Sequence, residues 1–308
     1  MKIFFTRVEE WEYLHFEKLF PEVLKSGNFF REILSEKNIS IVPKDTEILV
    51  IHRTCSVTKE IISSLPNLKL IITRSTGLDH IDTNFCREKN IGVKNIPNYS
   101  TESVAEYTVA LVLMLLRNIQ IHIEKRNDHN LVLQNGFELA NKKVGIVGFG
   151  KIGQTVARIL TGFNANIIFL DPTFEDASGR KKSSFAELAK ESDILIFCCP
   201  LTKDTKHLLN VNNIDSLKKG CILVNTARGG ILETEAIIAG INNDTILGVG
   251  LDVLEEEKEV LNNKNHDLWN TLLSHPQVVF TPHNAFLSRE SAERLWLEVK
   301  NYTAEFYK

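Results

Sequence analysis

The stretch from Lys143 to Leu160 constrains the fold more than any other part of the chain. Lys143-Val144-Gly145-Ile146-Val147 reads as a strand, runs directly into Gly148-Phe149-Gly150-Lys151-Ile152-Gly153, and is followed by a helical pattern, Thr155 to Leu160. In such a strand, turn and helix, the first glycine lets the chain turn sharply and the second lets backbone approach a pyrophosphate. The third permits close helix packing, and the helix N-terminus turns its unpaired amides toward negative oxygens. The next apolar run, Ile167 to Leu170, ends in Asp171, 18 residues beyond Gly153. A carboxylate at that spacing accepts a hydrogen bond from a ribose 2′-hydroxyl and repels a 2′-phosphate, so NAD is expected rather than NADP. The basic run Arg180-Lys181-Lys182 is expected to be a solvated loop rather than a phosphate site.

Similar short apolar runs recur along the chain at Ile48 to Ile51, Leu68 to Thr73, Ile194 to Cys198, Ile222 to Val224, Leu247 to Leu251 and Val278 to Phe280. They are separated by helix-length segments and are apolar nearly throughout, as expected of parallel strands covered on both faces. The fold class is therefore α/β with doubly wound parallel sheets. The 308 residues are about twice a ~150-residue domain, so two cored domains are expected. Ser100 to Arg117 reads as a long crossover helix between them, with Ser103 and Glu106 spaced as a capping box. The tail from Leu287 to Lys308 reads as an amphipathic helix with Leu295, Trp296 and Val299 on one side, positioned to return to the first domain.

Several function classes are disfavoured by composition. A net charge of -3 provides no basic field for nucleic acid. The apolar stretch Val109 to Leu116 falls far short of the ~20 residues of a membrane span. The start, Met1 to Arg7, reads as a first strand rather than a signal peptide, and the cytoplasm is the expected location. Five cysteines, at 55, 86, 198, 199 and 221, show no zinc-ligand spacing; no metal is expected, and the vicinal pair Cys198-Cys199 reads as buried filler.

Three residues beyond the glycine loop carry groups suited to reducing a 2-oxo acid, which needs a cation for the carboxylate and ketone, a proton donor, and a group that tunes the donor. Arg228, in Asn225-Thr226-Ala227-Arg228-Gly229, follows a buried strand at the edge where open α/β sheets place ligands, and its guanidinium can clamp a carboxylate at two points. His283, in Thr281-Pro282-His283-Asn284-Ala285, follows another. Glu257, the last of Glu255-Glu256-Glu257, follows a third, and a carboxylate beside an imidazole holds one tautomer and favours the imidazolium. Taken singly, each has an ordinary structural reading: a surface arginine, a structural histidine, a solvated acidic loop. Together they project from strand ends on the face where the cofactor must lie.

These residues resemble the D-isomer-specific 2-hydroxyacid dehydrogenases, the family of D-lactate, D-glycerate and 3-phosphoglycerate dehydrogenases. The likeness runs from about Leu68 to Leu295. It rests on Arg74-Ser75-Thr76-Gly77-Leu78-Asp79-His80-Ile81-Asp82, Asn95-Ile96-Pro97 with Ser103-Val104-Ala105-Glu106, the glycine loop, Asn225 to Gly229, Gly250-Leu251-Asp252-Val253, and Pro282-His283, all in order. The resemblance implies that His283 is the acid/base, Glu257 its partner and Arg228 the substrate anchor. It implies substrate binding at Ser75, Thr76 and Gly77, with amides at Thr76 and Gly77 on the carboxylate. It further implies NAD contacts at Thr76, Lys151, Ile152, Asp171, Cys199, Thr226, Ala227 and Asp252, beside Gly148, Gly150 and Gly153, with Val104 near the nicotinamide.

By the same resemblance a Rossmann-type cofactor domain, residues 99–286, is inserted in a smaller flavodoxin-like substrate domain built from 1–98 and 287–308, and the protein is a homodimer. The partner is a small 2-oxo or D-2-hydroxy acid. The loop His52-Arg53-Thr54-Cys55-Ser56 is the expected selector of the acid's side chain; an Arg53 turned toward substrate would call for a second anionic group, a surface arginine being the commoner outcome. The alternatives are a dinucleotide-sensing protein of the corepressor type, which resembles the same fold, and a formate dehydrogenase. Formate dehydrogenases resemble a pattern with glutamine, not glutamate, beside the histidine.

Overall fold

A computed structural model describes residues 2–125, 134–175, 179–257 and 267–308. The chain divides into two compact units, Met1–Ser100 with Ser288–Lys308, and Thr101–Leu287.

The first unit holds a parallel sheet of β1 (Ile3–Phe5), β2 (Ile48–Ile51), β3 (Leu70–Thr73) and β4 (Gly92–Lys94), paired in sequence order. Phe29 forms an isolated parallel bridge to Phe5 on the other side of β1, where the Phe5 amide donates to Asn28 at 3.0 Å and the Phe30 amide to Phe5 at 3.1 Å. Counted as a strand, this segment gives the order 2-1-3-4-5, the flavodoxin-like arrangement, whose reversal beside β1 puts helices on both faces. Successive side chains of a strand point to opposite faces. Phe5 accordingly joins Phe16, Phe20 and Trp296, with Phe5 and Trp296 ring centroids 5.9 Å apart, while Phe4 packs with Leu49, Ile51 and Ile71. Trp296 belongs to the helix Arg289–Phe306, whose Leu295, Trp296 and Val299 are all buried, so the chain's end completes the core begun at its start.

A buried ion pair lies against that core. The Arg74 guanidinium, 5.2 Å from the Trp296 ring centre, donates to Glu12 and to the carbonyls of Thr6 at 2.6 Å and Arg7 at 2.7 Å. Burial pushes the Glu12 carboxyl up from its ordinary value, and Arg74 opposes that shift.

The second unit holds a seven-stranded parallel sheet. Its strands are β5 (Lys143–Val147), β6 (Asn166–Leu170), β7 (Lys181–Lys182), β8 (Ile194–Phe197), β9 (Cys221–Asn225), β10 (Ile246–Leu251) and β11 (Val278–Phe280), in the order β11-β10-β9-β8-β5-β6-β7. Counted from β5 this is the 3-2-1-4-5-6 order of dinucleotide-binding sheets with one more strand at the far edge, and the order reverses at β5. Val144, Ile146, Ile194, Ile196 and Val224 pack on one face with the helices Thr101–Leu116 and Lys151–Thr161. Val147, Leu195, Phe197 and Leu223 pack on the other with Leu188, Ile237 and Leu272. The α/β class and the doubly wound sheets read from the apolar runs are present.

Three local expectations need correction. Ser103 and Glu106 do not form a capping box, because the chain is already helical from Thr101 and a capping serine must precede the first turn. Lys181 and Lys182 are not a loop but a two-residue edge strand, in register with Ile168 and Phe169. Both lysines are exposed, and charge suits an edge that must not pair further. The first strand ends at Phe5 rather than Arg7, where φ turns to 45°.

Candidate active site

The glycine loop begins with Gly148 at φ 90°, a left-handed value that side chains rarely adopt. A Cβ there would also stand 2.6 Å from the Cys199 amide. A Cβ at Gly153 would lie 2.2 Å from the Gly148 carbonyl oxygen, so the helix Lys151–Thr161 can sit this close to the turn only without one. Gly150 differs: a Cβ there would meet nothing within 4 Å, and as N-cap it supplies no side chain to the first-turn amides. Open space in front of unpaired helix amides is the shape a pyrophosphate requires. Lys151, exposed, and Ile152, half-buried, form that first turn.

Asp171 closes the loop from the end of β6. Its Oδ2 accepts the Phe149 amide at 2.8 Å, and its Oδ1 accepts the Thr173 amide at 2.9 Å, the Thr173 hydroxyl at 3.0 Å and the Phe174 amide at 3.0 Å. Burial opposes ionisation, but the amides of Phe149 and Thr173, the Thr173 hydroxyl and the Phe174 amide outweigh it and hold the carboxyl below its ordinary value. An ionised acceptor here suits a ribose diol and disfavours a phosphate. Burial pushes the Cys198 thiol up to about 12 and Cys199 to about 11, which favours the protonated thiol over the reactive thiolate in both. These residues fit NAD.

Beyond β9, the buried Asn225 shapes the turn that carries Arg228: its Nδ2 donates to the Arg228 carbonyl at 2.9 Å, and its Oδ1 accepts the Ala227 amide at 3.0 Å. The Thr226 hydroxyl meets that of Thr108 at 2.7 Å, and Thr108 donates to the Val104 carbonyl at 2.7 Å, which ties this turn to the helix Thr101–Leu116. The guanidinium of Arg228 donates through Nη1 to the Ala227 carbonyl at 2.7 Å. At Gly229 a Cβ would be 1.9 Å from the Leu254 carbonyl carbon, so the turn packs directly on the acidic loop.

Asp252, 1% exposed, organises the next turn. Oδ1 accepts the Thr281 hydroxyl at 2.6 Å and the Asn284 amide at 2.8 Å, and Oδ2 accepts the Ala285 amide at 2.8 Å. The Asp252 carbonyl accepts the His283 amide at 2.9 Å. His283 is thereby held at φ 55°. Its Nδ1 stands 3.0 Å from Glu257 Oε1 and 3.1 Å from Oε2. Of the three consecutive glutamates, only Glu257 meets this ring among the contacts described; Glu256 is exposed, and Glu255 bonds His207 and Thr234.

Ser75, Thr76 and Gly77 lie in the first unit, just after β3. Ser75 Oγ donates to the Gly77 carbonyl at 2.9 Å and meets the Thr73 hydroxyl at 2.7 Å, while Asn95 Nδ2 donates to the Thr76 carbonyl at 2.6 Å. Thr76 is exposed and Gly77 half-exposed. Sequence reasoning missed Thr108, Thr281 and Asn284, whose roles are hydrogen bonds across long sequence separations with no local pattern. It assigned Asp252 to the cofactor without the loop-holding bonds that occupy both of its carboxylate oxygens.

A Rossmann-ordered sheet with a fitted glycine loop, beside a paired imidazole and carboxylate, defines a dinucleotide-dependent oxidoreductase. Residues 109–285 match the family described as D-isomer specific 2-hydroxyacid dehydrogenase, NAD binding domain. A 2-hydroxyacid dehydrogenase homolog of Zymomonas mobilis is 35% identical over 268 residues, 82% of this chain and 81% of that protein. Hydroxypyruvate reductase of Thermotoga maritima is 35% identical over 265 residues, 85% of this chain and 84% of that one. The crystal structure of D-lactate dehydrogenase from Aquifex aeolicus, complexed with NAD and lactic acid, superposes with a TM-score of 0.84 at 31% identity, covering 99% of this chain and 95% of that one. The chain belongs to the D-isomer-specific 2-hydroxyacid dehydrogenase family. It is an NAD-dependent dehydrogenase.

Proposed function

We propose that this protein interconverts a small 2-oxo acid and its D-2-hydroxy acid, with His283 as acid/base, Glu257 as its partner and Arg228 as substrate anchor. The observation that carries the proposal is the pairing of His283 Nδ1 with both oxygens of Glu257. When bound, NADH supplies the hydride that the keto carbon accepts. The chain's own groups do the rest. Arg228 holds the carboxylate and polarises the ketone, and His283 delivers a proton from Nε2 to the oxygen that becomes the alkoxide. Glu257 fixes the ring with Nδ1 toward itself and stabilises the imidazolium before transfer. The amides at Thr76 and Gly77, with Ser75, are proposed as further donors to the acid's carboxylate.

The cofactor is proposed to be held by Gly148, Gly150, Lys151, Ile152 and Gly153 at the phosphates and by Asp171 at the ribose. Val104, Cys199, Thr226, Ala227, Asp252 and Thr76 are proposed as the remaining contacts. A cytoplasmic homodimer is part of the same reading; sedimentation of the purified protein checks the dimer.

The test is NADH oxidation against glyoxylate, pyruvate, hydroxypyruvate, 2-oxoglutarate and bulkier branched or aromatic 2-oxo acids, with Arg228→Ala as control. Turnover that the substitution abolishes supports the reading and ranks the substrates. Tight NADH binding without turnover of any acid transfers the protein to the dinucleotide-sensing class.

A further inference from the structure

A second imidazole and carboxylate meet in the same unit: His207 Nε2 bonds Glu255 Oε1. The other oxygen of Glu255, Oε2, accepts the Thr234 amide at 3.2 Å and the Thr234 hydroxyl at 2.9 Å, at the start of the helix Thr234–Asn242. His207 is itself fixed along the segment that follows Arg228. Its amide donates to the Gly230 carbonyl at 2.9 Å, Leu209 bridges Leu232, and the Glu233 amide donates to Leu209 at 2.9 Å. Glu255 thus joins three pieces of backbone: through His207 the segment after Arg228, the helix at Thr234, and the loop that carries Glu257.

That loop needs such an anchor. Glu256 has φ 52°, a left-handed value that residues other than glycine rarely adopt. His207 at φ 48° and His283 at φ 55° are also left-handed, and the two imidazole–carboxylate pairs flank Glu256 on either side. With Gly229 packed against Leu254, any slip of Glu255 would move the Arg228 turn and the Glu257 side chain together.

We propose that Glu255, clamped by His207 and Thr234, is a positioning residue that sets Glu257 against His283 and fixes the Arg228 turn. The proposal rests on the reading of His283, Glu257 and Arg228 given above. Misplacement of a reacting group by about 1 Å costs up to a hundredfold in rate without changing what the groups are.

The experiment compares Glu255→Ala with Glu255→Gln, whose carbonyl still accepts from Thr234 and whose amide donates to a neutral His207. Two readouts are taken: steady-state reduction of the best 2-oxo acid, and imidazole nitrogen NMR of the folded protein, with His283 assigned through His283→Gln. In the unmodified protein neutral His283 is expected as one tautomer, its proton on Nδ1 facing Glu257. Glu255→Ala is expected to lower kcat about tenfold with NADH affinity unchanged, and to give a mixed His283 tautomer. Glu255→Gln is expected to restore both.

A Glu255→Ala protein with kcat within about twofold of the unmodified enzyme and a single His283 tautomer overturns the proposal. If Glu255→Ala does not fold, Thr234→Val and His207→Gln each loosen one side of the clamp and are expected to show the same two effects, smaller; no change in either overturns it. An unmodified protein that reduces no 2-oxo acid sinks the catalytic reading, while the tautomer comparison still decides whether Glu255 positions Glu257.

Discussion

The carboxylate of Asp252 accepts the backbone amide of Ala285 at 2.8 Å across 33 residues of chain, and so holds the turn in which His283 stands at φ 55°. The first prediction follows from it. In Asp252→Asn one carboxylate oxygen becomes an amide NH2, which then confronts the Ala285 amide in one orientation and the Asn284 amide in the other. A buried clash of donors costs about 1–3 kcal/mol. Denaturant melts should show that loss, and reduction of 2-oxo acids should fall further than folded fraction because the histidine turn loosens. A variant with unchanged stability and rate would remove Asp252 from this role.

The proposed acid/base role of His283, paired with Glu257 at 3.0 Å, predicts loss in both directions of the reaction. The same imidazole would give a proton during reduction and take one during oxidation of the hydroxy acid. His283→Gln should lower kcat by about 10²–10⁴ in both directions, with NADH affinity unchanged. A variant that keeps its rate in either direction would take the acid/base role from His283.

Asp171 is the residue proposed to set the choice of dinucleotide. Burial works against its ionisation, but the amides of Phe149, Thr173 and Phe174 with the Thr173 hydroxyl keep it charged well into acid, so NAD preference should persist through the whole working pH range. Asp171→Ser removes an ionised acceptor, whose hydrogen bonds are worth about 1.5–3 kcal/mol. Fluorescence titration with the reduced dinucleotides should show NADH affinity falling at least tenfold and the NADPH to NADH ratio rising. An unchanged ratio would mean that discrimination arises elsewhere.

Acid stability of the first unit should be set in part by His52. Burial, with Arg74, Arg53, Arg7 and His80 nearby, lowers this imidazole to about 2. In the unfolded chain it takes a proton near pH 6.5, so between those values the unfolded state binds more protons and stability rises with pH. Stability should therefore be fully present above about pH 6.5 and be lost as pH falls below it, by up to about 1.4 kcal/mol per unit. His52→Asn keeps an acceptor for Thr54, which meets His52 Nδ1 at 2.9 Å, but cannot take that proton. Its stability should fall less between about pH 6.5 and about pH 5; equal slopes would assign the acid sensitivity to other groups.

Much of this architecture is legible in residue order. Strands such as Ile194–Phe197 are apolar at every position because both faces are covered, and the spacing of Gly148, Gly150 and Gly153 announces a turn that leaves no room for a side chain at Gly148 or Gly153. Arg228, Glu257 and His283 could be picked out because each follows a buried strand on the ligand-bearing edge of the sheet. Other features left no local trace. The Lys181–Lys182 strand is two residues without an apolar pattern, and the Phe29 bridge that restores the flavodoxin-like order is a single residue. Ser103 and Glu106 had the spacing of a cap but sit inside a helix begun earlier, since a spacing pattern carries no marker of where the helix starts.

Sequence by itself determined the period and polarity of the elements, the glycine turn and its acidic partner at Asp171, because those depend on backbone sterics and on neighbours a few residues apart. Tertiary structure alone decided that Glu255 clasps His207 and Thr234 and that Asp252 holds the histidine turn. The reason is physical: these are hydrogen bonds between groups 21 to 48 residues apart, whose partners are chosen by how the strands are ordered across the sheet.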